Sequence, residues 1–191
     1  MHRIYIQSAI TDARAKVKKS SFGSLGLKNK IGVVCLAESY AIDSKLNSKQ
    51  LEKAKSLLAN PLTQNAFVGR PNIKKFSYSI EIGFLPGVTD NVGHTTKETL
   101  TDGAKIKFKP GQNVYASQVF FVYFNKNNNS KQSAEASAKA DISKIANSLY
   151  NPLIQRASIT SFADFQKAGL DSSIPKVKIK SSNKVLKVNL N

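Results

Sequence analysis

Cys35 is the only cysteine in the chain of 191 residues. A single thiol excludes an internal disulfide framework and a multi-cysteine metal site within one chain, and it fits a reducing compartment. Histidine is almost as scarce, with only His2 and His94. Acidic residues number 12, against 29 lysines and arginines. Asp12, Asp90, Asp102, Asp141 and Asp164 mostly fall where caps and turns are expected. They show no paired-carboxylate or metal-ligand spacing. No Gly-x-Gly-x-x-Gly or Walker sequence occurs. No apolar stretch approaches the roughly 18 residues that span a bilayer. Met1 to Ile6 lacks the apolar run of a signal peptide. These absences predict a soluble, cytoplasmic protein with no catalytic, cofactor-binding or metal-ligating residues of its own.

What remains is strongly basic, with a net charge of +17. Charge of this size suggests a polyanionic partner. The basic residues are mostly lysine, however, and the only arginines are Arg3, Arg14, Arg70 and Arg156. Asparagine is abundant as well, as at Asn125, Asn127, Asn128 and Asn129. Joint Lys and Asn enrichment is what an AT-rich genome produces. A dedicated phosphate reader is expected to use more arginine, whose planar fork pairs bidentately with phosphate. The charge is therefore read as composition, and nucleic acid is not the expected partner. A basic α+β nucleic-acid-binding module is the alternative function. Hydrophobic residues make up 41% of the chain, enough for a folded core.

Periodicity gives the elements. Ile4, Ile6 and Ile10 share one strand face. Thr11-Asp12 offers an N-cap to a basic helix over 13–22, which Gly23 and Gly26 end. Residues 31–42 are β-rich. Ser48 is the expected cap of an amphipathic helix with Leu51, Ala54, Leu57 and Leu58 inward, stopped at Asn60-Pro61. Residues 65–68 suit an edge strand. The order then repeats. Phe76, Tyr78, Ile80, Ile82 and Phe84 alternate with Ser77, Ser79, Glu81 and Gly83. A Pro-Gly turn follows, and Asp90 or Thr89 caps a helix to about Leu100. Residues 114–124 form a strand. Residues 125–133 are polar and of low complexity. A further helix has Ile142, Ile145 and Leu149 inward and stops at Asn151-Pro152, before a short strand over 157–159.

The repeat also appears in the residues. Leu58 to Gln64 matches Leu149 to Gln155 at an offset of 91, and the same offset places Leu51 on Ile142 and Ala54 on Ile145. Asp12 to Ala15 matches Asp90 to Gly93 at an offset of 78. The predicted fold is α+β: two duplicated β-α-β-α-β halves with antiparallel sheets and helices on one face. So few strands leave a sheet face poorly covered, and two copies solve this by packing face to face or by joining into one longer sheet.

Individual residues offer little chemistry. His2 is expected to fray at the terminus. His94 lies in the first turn of a helix, and with Asp90 it could only outline a weak acid–base pair. Cys35 reads as a small core residue. Free N–H groups at the helix start near Asp90 could receive an anion, unless Asp90 or Thr89 already satisfies them.

The segment LPGVTDNVGHTTKETL, Leu85 to Leu100, resembles the Pro-Gly-Val-Thr/Met-Asp motif in the N-terminal part of large phosphoribosylformylglycinamidine synthases. SLLANPLTQ and SLYNPLIQ resemble the helix-ending signature of the PurS-like unit of that family. The likeness runs from about Arg3 to Thr160. It implies a first PurS-like repeat over 1–70, a second over 71–162, and the start of a linker toward a synthetase domain over 163–191. Ile174 to Ile179 and Val185 to Val188 resemble the stretch leading into that linker, so a longer parent chain or a split subunit is expected. The resemblance implies a pseudo-dimer that docks the synthetase and glutaminase parts of an ATP- and glutamine-dependent ligase of purine biosynthesis and supports ammonia transfer. ATP and Mg are expected on the synthetase domain, with none in this segment, and the segment alone is expected to be inactive. Pro86, Gly87, Thr89, Asp90, Asn91 and His94 are the candidate interdomain interface. The Asn-rich loop and the high lysine content are not hallmarks of the family.

Overall fold

The computed structural model describes residues 1–125 and 131–170. The chain order is β1 (His2–Ser8), α1 (Ala13–Ser21), a 3-10 turn (Phe22–Leu25), β2 (Ile31–Ile42), α2 (Ser48–Leu58), β3 (Gln64–Val68), β4 (Tyr78–Phe84), α3 (Asn91–Ala104), β5 (Val114–Phe124), α4 (Lys131–Leu149), β6 (Gln155–Ser161) and α5 (Phe162–Ala168). All strands join one antiparallel sheet in the order β3-β1-β2-β5-β4-β6. The strands thus form a single long sheet and not two sheets packed face to face.

Local chemistry explains the element ends. Asp12 caps α1 by accepting from Arg14 N at 2.9 Å. The cap of α2 is Asn47, one residue before the expected Ser48. Its Oδ1 accepts from Gln50 N, and the Gln50 side chain accepts from Asn47 N in return. This reciprocal box satisfies two otherwise orphaned donors. Gly26 closes the 3-10 turn at φ 74°, a left-handed conformation that glycine adopts without strain.

The two Asn-Pro stops share one geometry. Asn60 Oδ1 accepts from Leu62 N at 2.9 Å, and Asn151 Oδ1 accepts from Leu153 N at 3.0 Å. The Gln64 side chain accepts from Asn60 N at 2.9 Å, and the Gln155 side chain accepts from Asn151 N at 3.0 Å. Each asparagine side chain thereby takes up a donor that the ending helix cannot, and its proline cannot continue the helix.

One face of the sheet carries α1 to α4 over two apolar clusters. In the first, Ala15 of α1 and Ile142, Ile145 and Ala146 of α4 meet Val34, Leu36, Ile80, Ile82, Phe120 and Val122. In the second, Ala54 of α2 and Leu100 and Ala104 of α3 meet Ile4, Ile6, Tyr40, Ile42 and Val114. Each cluster therefore joins a helix from each half of the chain.

The expectation that all helices lie on one face fails for α5. Residues 163–168 fall in the stretch expected to open a linker. They form a helix whose Phe165 packs with Tyr5, Ala37, Phe76, Val119 and Phe121. The strand residues among these, Tyr5, Ala37, Val119 and Phe121, alternate with the inward residues of the first two clusters, so α5 covers the opposite face. Phe76 belongs here as well and not with Ile80 and Ile82. It precedes β4, and its ring centroid lies 5.0–5.3 Å from those of Phe121, Phe162 and Phe165. β6 is also longer than the predicted 157–159. The expected linker beyond residue 170, including 174–188, and residues 126–130 of the low-complexity loop lie outside the described residues.

Burial has a consequence at alkaline pH. Tyr5, Tyr40 and Tyr123 each have a phenol pKa pushed up to about 12, chiefly because burial penalises the tyrosinate. The Glu38 carboxylate adds to this at Tyr40. An unfolded tyrosine ionises near pH 10. The stabilisation from these neutral phenols is full below about pH 10 and is lost as pH rises through about 12. Absorbance titration of the folded chain should show three of its six tyrosines ionising late, with unfolding free energy falling between pH 10 and 12. A single titration of all six near pH 10 in the folded state would contradict this.

Candidate functional site

The segment that carries the family resemblance folds as a lip at one end of the sheet. β4 stops at Phe84, and Leu85 N donates to Ile154 O at 3.0 Å. Val88 N donates back to Leu85 O at 3.1 Å to close a turn, in which Gly87 has φ 88°. Asp90 then opens α3. Its Oδ1 accepts from Gly93 N and its Oδ2 from Ala116 N, each at 2.7 Å. The pairing of β4 with β5 ends at Gly83 and Ser117, so the start of β5 extends past its neighbour. Asp90 serves two purposes there, capping the helix and holding an edge of β5. The cap carboxylate occupies the place that an anion would take at this helix start. Of the expected choices of cap, Asp90 is the one observed.

Behind the lip lies an open cleft of about 860 Å³. Its walls include Pro86, Gly87, Thr89, Asp90 and His94, five of the six residues proposed from sequence. Asn91 is not among the lining residues and stands exposed beside them. Pro86, Gly87, Thr89 and His94 are also exposed at residue level. The His94 side chain is 70% exposed, with Nδ1 3.7 Å from Glu98 Oε2. The weak acid–base pairing of His94 with Asp90 gains nothing from this, because both Asp90 oxygens accept from backbone amides.

The inner wall holds a charged network that the sequence did not announce. Arg3 pairs with Glu81 and also donates to Ser39 Oγ at 2.9 Å. Ser117 Oγ donates to Glu81 Oε1 at 2.7 Å. Glu81 is only 4% exposed and Ser39 is fully buried. The network thus links β1, β2, β5 and β4, the four central strands. Arg156 of β6, opposite Gly83, completes this wall. Strand alternation marked Ser79, Glu81 and Gly83 as one face of β4. It could not show that this face is buried, or that Arg3 lies three strands away.

The other singled-out residues lie elsewhere. His2 does not fray: it begins β1, and its Nε2 accepts from Leu46 N at 3.1 Å. Burial and the nearby N-terminal charge push its pKa down. Cys35 is half-buried beside Tyr123, and burial pushes its thiol pKa up, away from the reactive thiolate. Among the described residues, no three His, Cys, Asp or Glu side chains are grouped as a metal site requires, and no helix is long and apolar enough to cross a membrane.

No protein-family model matches the chain, and a comparison with curated proteins returned no match.

Proposed function

We propose that this chain is a duplicated PurS-like unit, a dimer fused end to end, that acts as a noncatalytic docking part of a phosphoribosylformylglycinamidine synthase. The observation that carries the reading is the strand order. β3-β1-β2 runs into β5-β4-β6, so each half contributes the same three-strand order from opposite edges. The halves meet where Ile31 to Ile42 pairs with Phe124 to Val114. Such an arrangement is what a twofold pair gives when its sheets join along one strand.

The registers are compatible with the repeat. Val68, which faces Ile4, corresponds to Ile159 at the offset of 91, and Ile159 faces Ile80. Ile4 pairs with Tyr40, and Ile80 with Phe120. All four of these central residues are buried. The matched Asn-Pro turns support the reading further, as do Asp12 and Asp90 in their matched capping roles. The exposed lip, with Pro86, Gly87, Thr89, Asn91 and His94 outward, suits an interface with the synthetase part. Docking the glutaminase part and supporting ammonia transfer rest on the resemblance.

The test is docking in trans. The purified chain, mixed with the synthetase part of an enzyme of this family, is expected to co-elute with it and to bind more weakly once Gly87 and His94 are replaced by glutamate. No binding to any synthetase or glutaminase part would sink the proposal. Salt-sensitive retention of single- or double-stranded nucleic acid would favour the basic module instead.

A further inference from the structure

We propose that the cleft is the docking site of the chain's own residues 171–191, with Val177 and Ile179 against the sheet and Lys176, Lys178 and Lys180 toward α3. The described chain ends beside the cleft. Gly169, at φ 73°, ends α5, and Leu170 is 4% exposed in the cluster with Tyr5, Ala37 and Val119. Tyr5 and Val119 each stand two positions from a lining residue on the same sheet face, Arg3 and Ser117. Val119 also pairs with Glu81, a third lining residue. α5 has only seven residues, and the cleft is the part of this face that it leaves open. Length is sufficient: ten residues, 171–180, reach at most about 35 Å, and a six-stranded sheet is about 24 Å across.

The pattern of the segment fits this place. Residues 176–180 read Lys-Val-Lys-Ile-Lys. In an extended chain this alternation puts both apolar side chains on one face and all three lysines on the other. Ala41, Leu85, Val88 and Tyr115 give the cleft apolar surface, and the small Gly83 and Ser117 leave room above the sheet. Charge agrees in sign. The lining holds four carboxylates, Glu81, Asp90, Glu98 and Asp102, against Arg3, Lys97 and Arg156. Glu81 and Asp90 are held by Arg3, Ser117 and two backbone amides, whereas Glu98 and Asp102 stand exposed on α3. Residues 171–191 carry five lysines and one aspartate. Apolar burial drives the docking and the lysines orient it, because exposed ion pairs contribute little.

The full chain is compared with its variants by amide chemical shifts. Val177→Asp together with Ile179→Asp should move the resonances of Gly83, Leu85, Tyr115 and Ser117 and leave those of α2 in place. A nitroxide on Lys178→Cys, in a Cys35→Ser background, should remove most of the intensity of the same four amides. Combining it with Val177→Asp and Ile179→Asp should restore that intensity. Unmoved cleft resonances in the double variant would overturn the proposal. So would intensity loss spread evenly over the chain, or centred on the outer edge of β3. Loss in a nitroxide-free chain mixed with the nitroxide-bearing one would assign the segment to a second copy and overturn docking within one chain. Circular dichroism checks the fold of each variant, and if Cys35→Ser does not fold, the double variant without nitroxide decides. None of these readouts involves a synthetase part, so this docking and docking in trans fail separately.

Discussion

Glu81→Ala is expected to lower the unfolding free energy by about 3–5 kcal/mol, the scale for removing one partner of a buried ion pair. Glu81 is 4% exposed, and it accepts from Arg3 and from Ser117 Oγ. Its loss leaves the Arg3 side chain, 9% exposed, without its carboxylate. The cost comes mainly from the charge left behind, because an intact buried pair has desolvation set against its attraction. Two further variants separate these effects. Glu81→Gln keeps the shape and an acceptor for Ser117 but removes the charge, so it should fall between wild type and alanine. Replacing Arg3 by Met together with Glu81 by Leu removes both charges and should recover much of the loss. Urea unfolding with an unchanged m-value gives the comparison. A double variant less stable than Glu81→Ala would show that the polar network is stabilising as a whole.

Gly93→Ala is expected to destabilise the fold by about 1–3 kcal/mol, the scale of overpacking in a tight contact. Helix propensity argues the other way, since alanine is favoured over glycine in a helix interior by about 1 kcal/mol. The contact decides the sign. A Cβ at Gly93 would overlap the carbonyl oxygen of Val114 and stand 2.5 Å from Asp90 Oδ2. Val114 O is backbone in a central strand, so no rotamer relieves the overlap. Asp90 would have to give up its grip on Gly93 N or on Ala116 N. Gly103 is the internal control on the same helix. A Cβ there would meet Leu57 Cδ1 at 2.7 Å, and that methyl sits at the end of a side chain able to turn. Gly103→Ala should therefore cost clearly less. Thermal unfolding of both variants tests the pair, and an equal or higher melting temperature for Gly93→Ala would refute the close approach of α3 to β5.

Strands and helices were legible wherever the apolar period was regular. β2 and β5 have the predicted bounds, and Asp12 and Asp90 cap the helices that follow them. The lip was legible too, because a Pro-Gly turn before a capped helix is local chemistry. Errors arose where a residue's surroundings came from far along the chain. Phe76 continued an alternating pattern, yet it turns to the opposite face because aromatic rings from α5 and β5 wait there. His2 sits next to the N-terminus, yet the Leu46 amide, 44 positions on, holds it. α5 follows β6 with no intervening loop, and its place on the second sheet face depends on Phe76 and Phe121. Its N-cap Ser161 accepts from Asp164 N, a local signal of a helix start.

The sequence by itself determined the order of the elements, the repeated Asn-Pro stops and the lip, because turns, caps and periodicity depend on residues a few positions apart. The tertiary structure decided that the strands form one sheet, that α5 shields the second face, and that Arg3, Glu81 and Arg156 share a wall. Arg3 and Glu81 are 78 positions apart. Their pairing depends on the register of four strands, which no local pattern specifies.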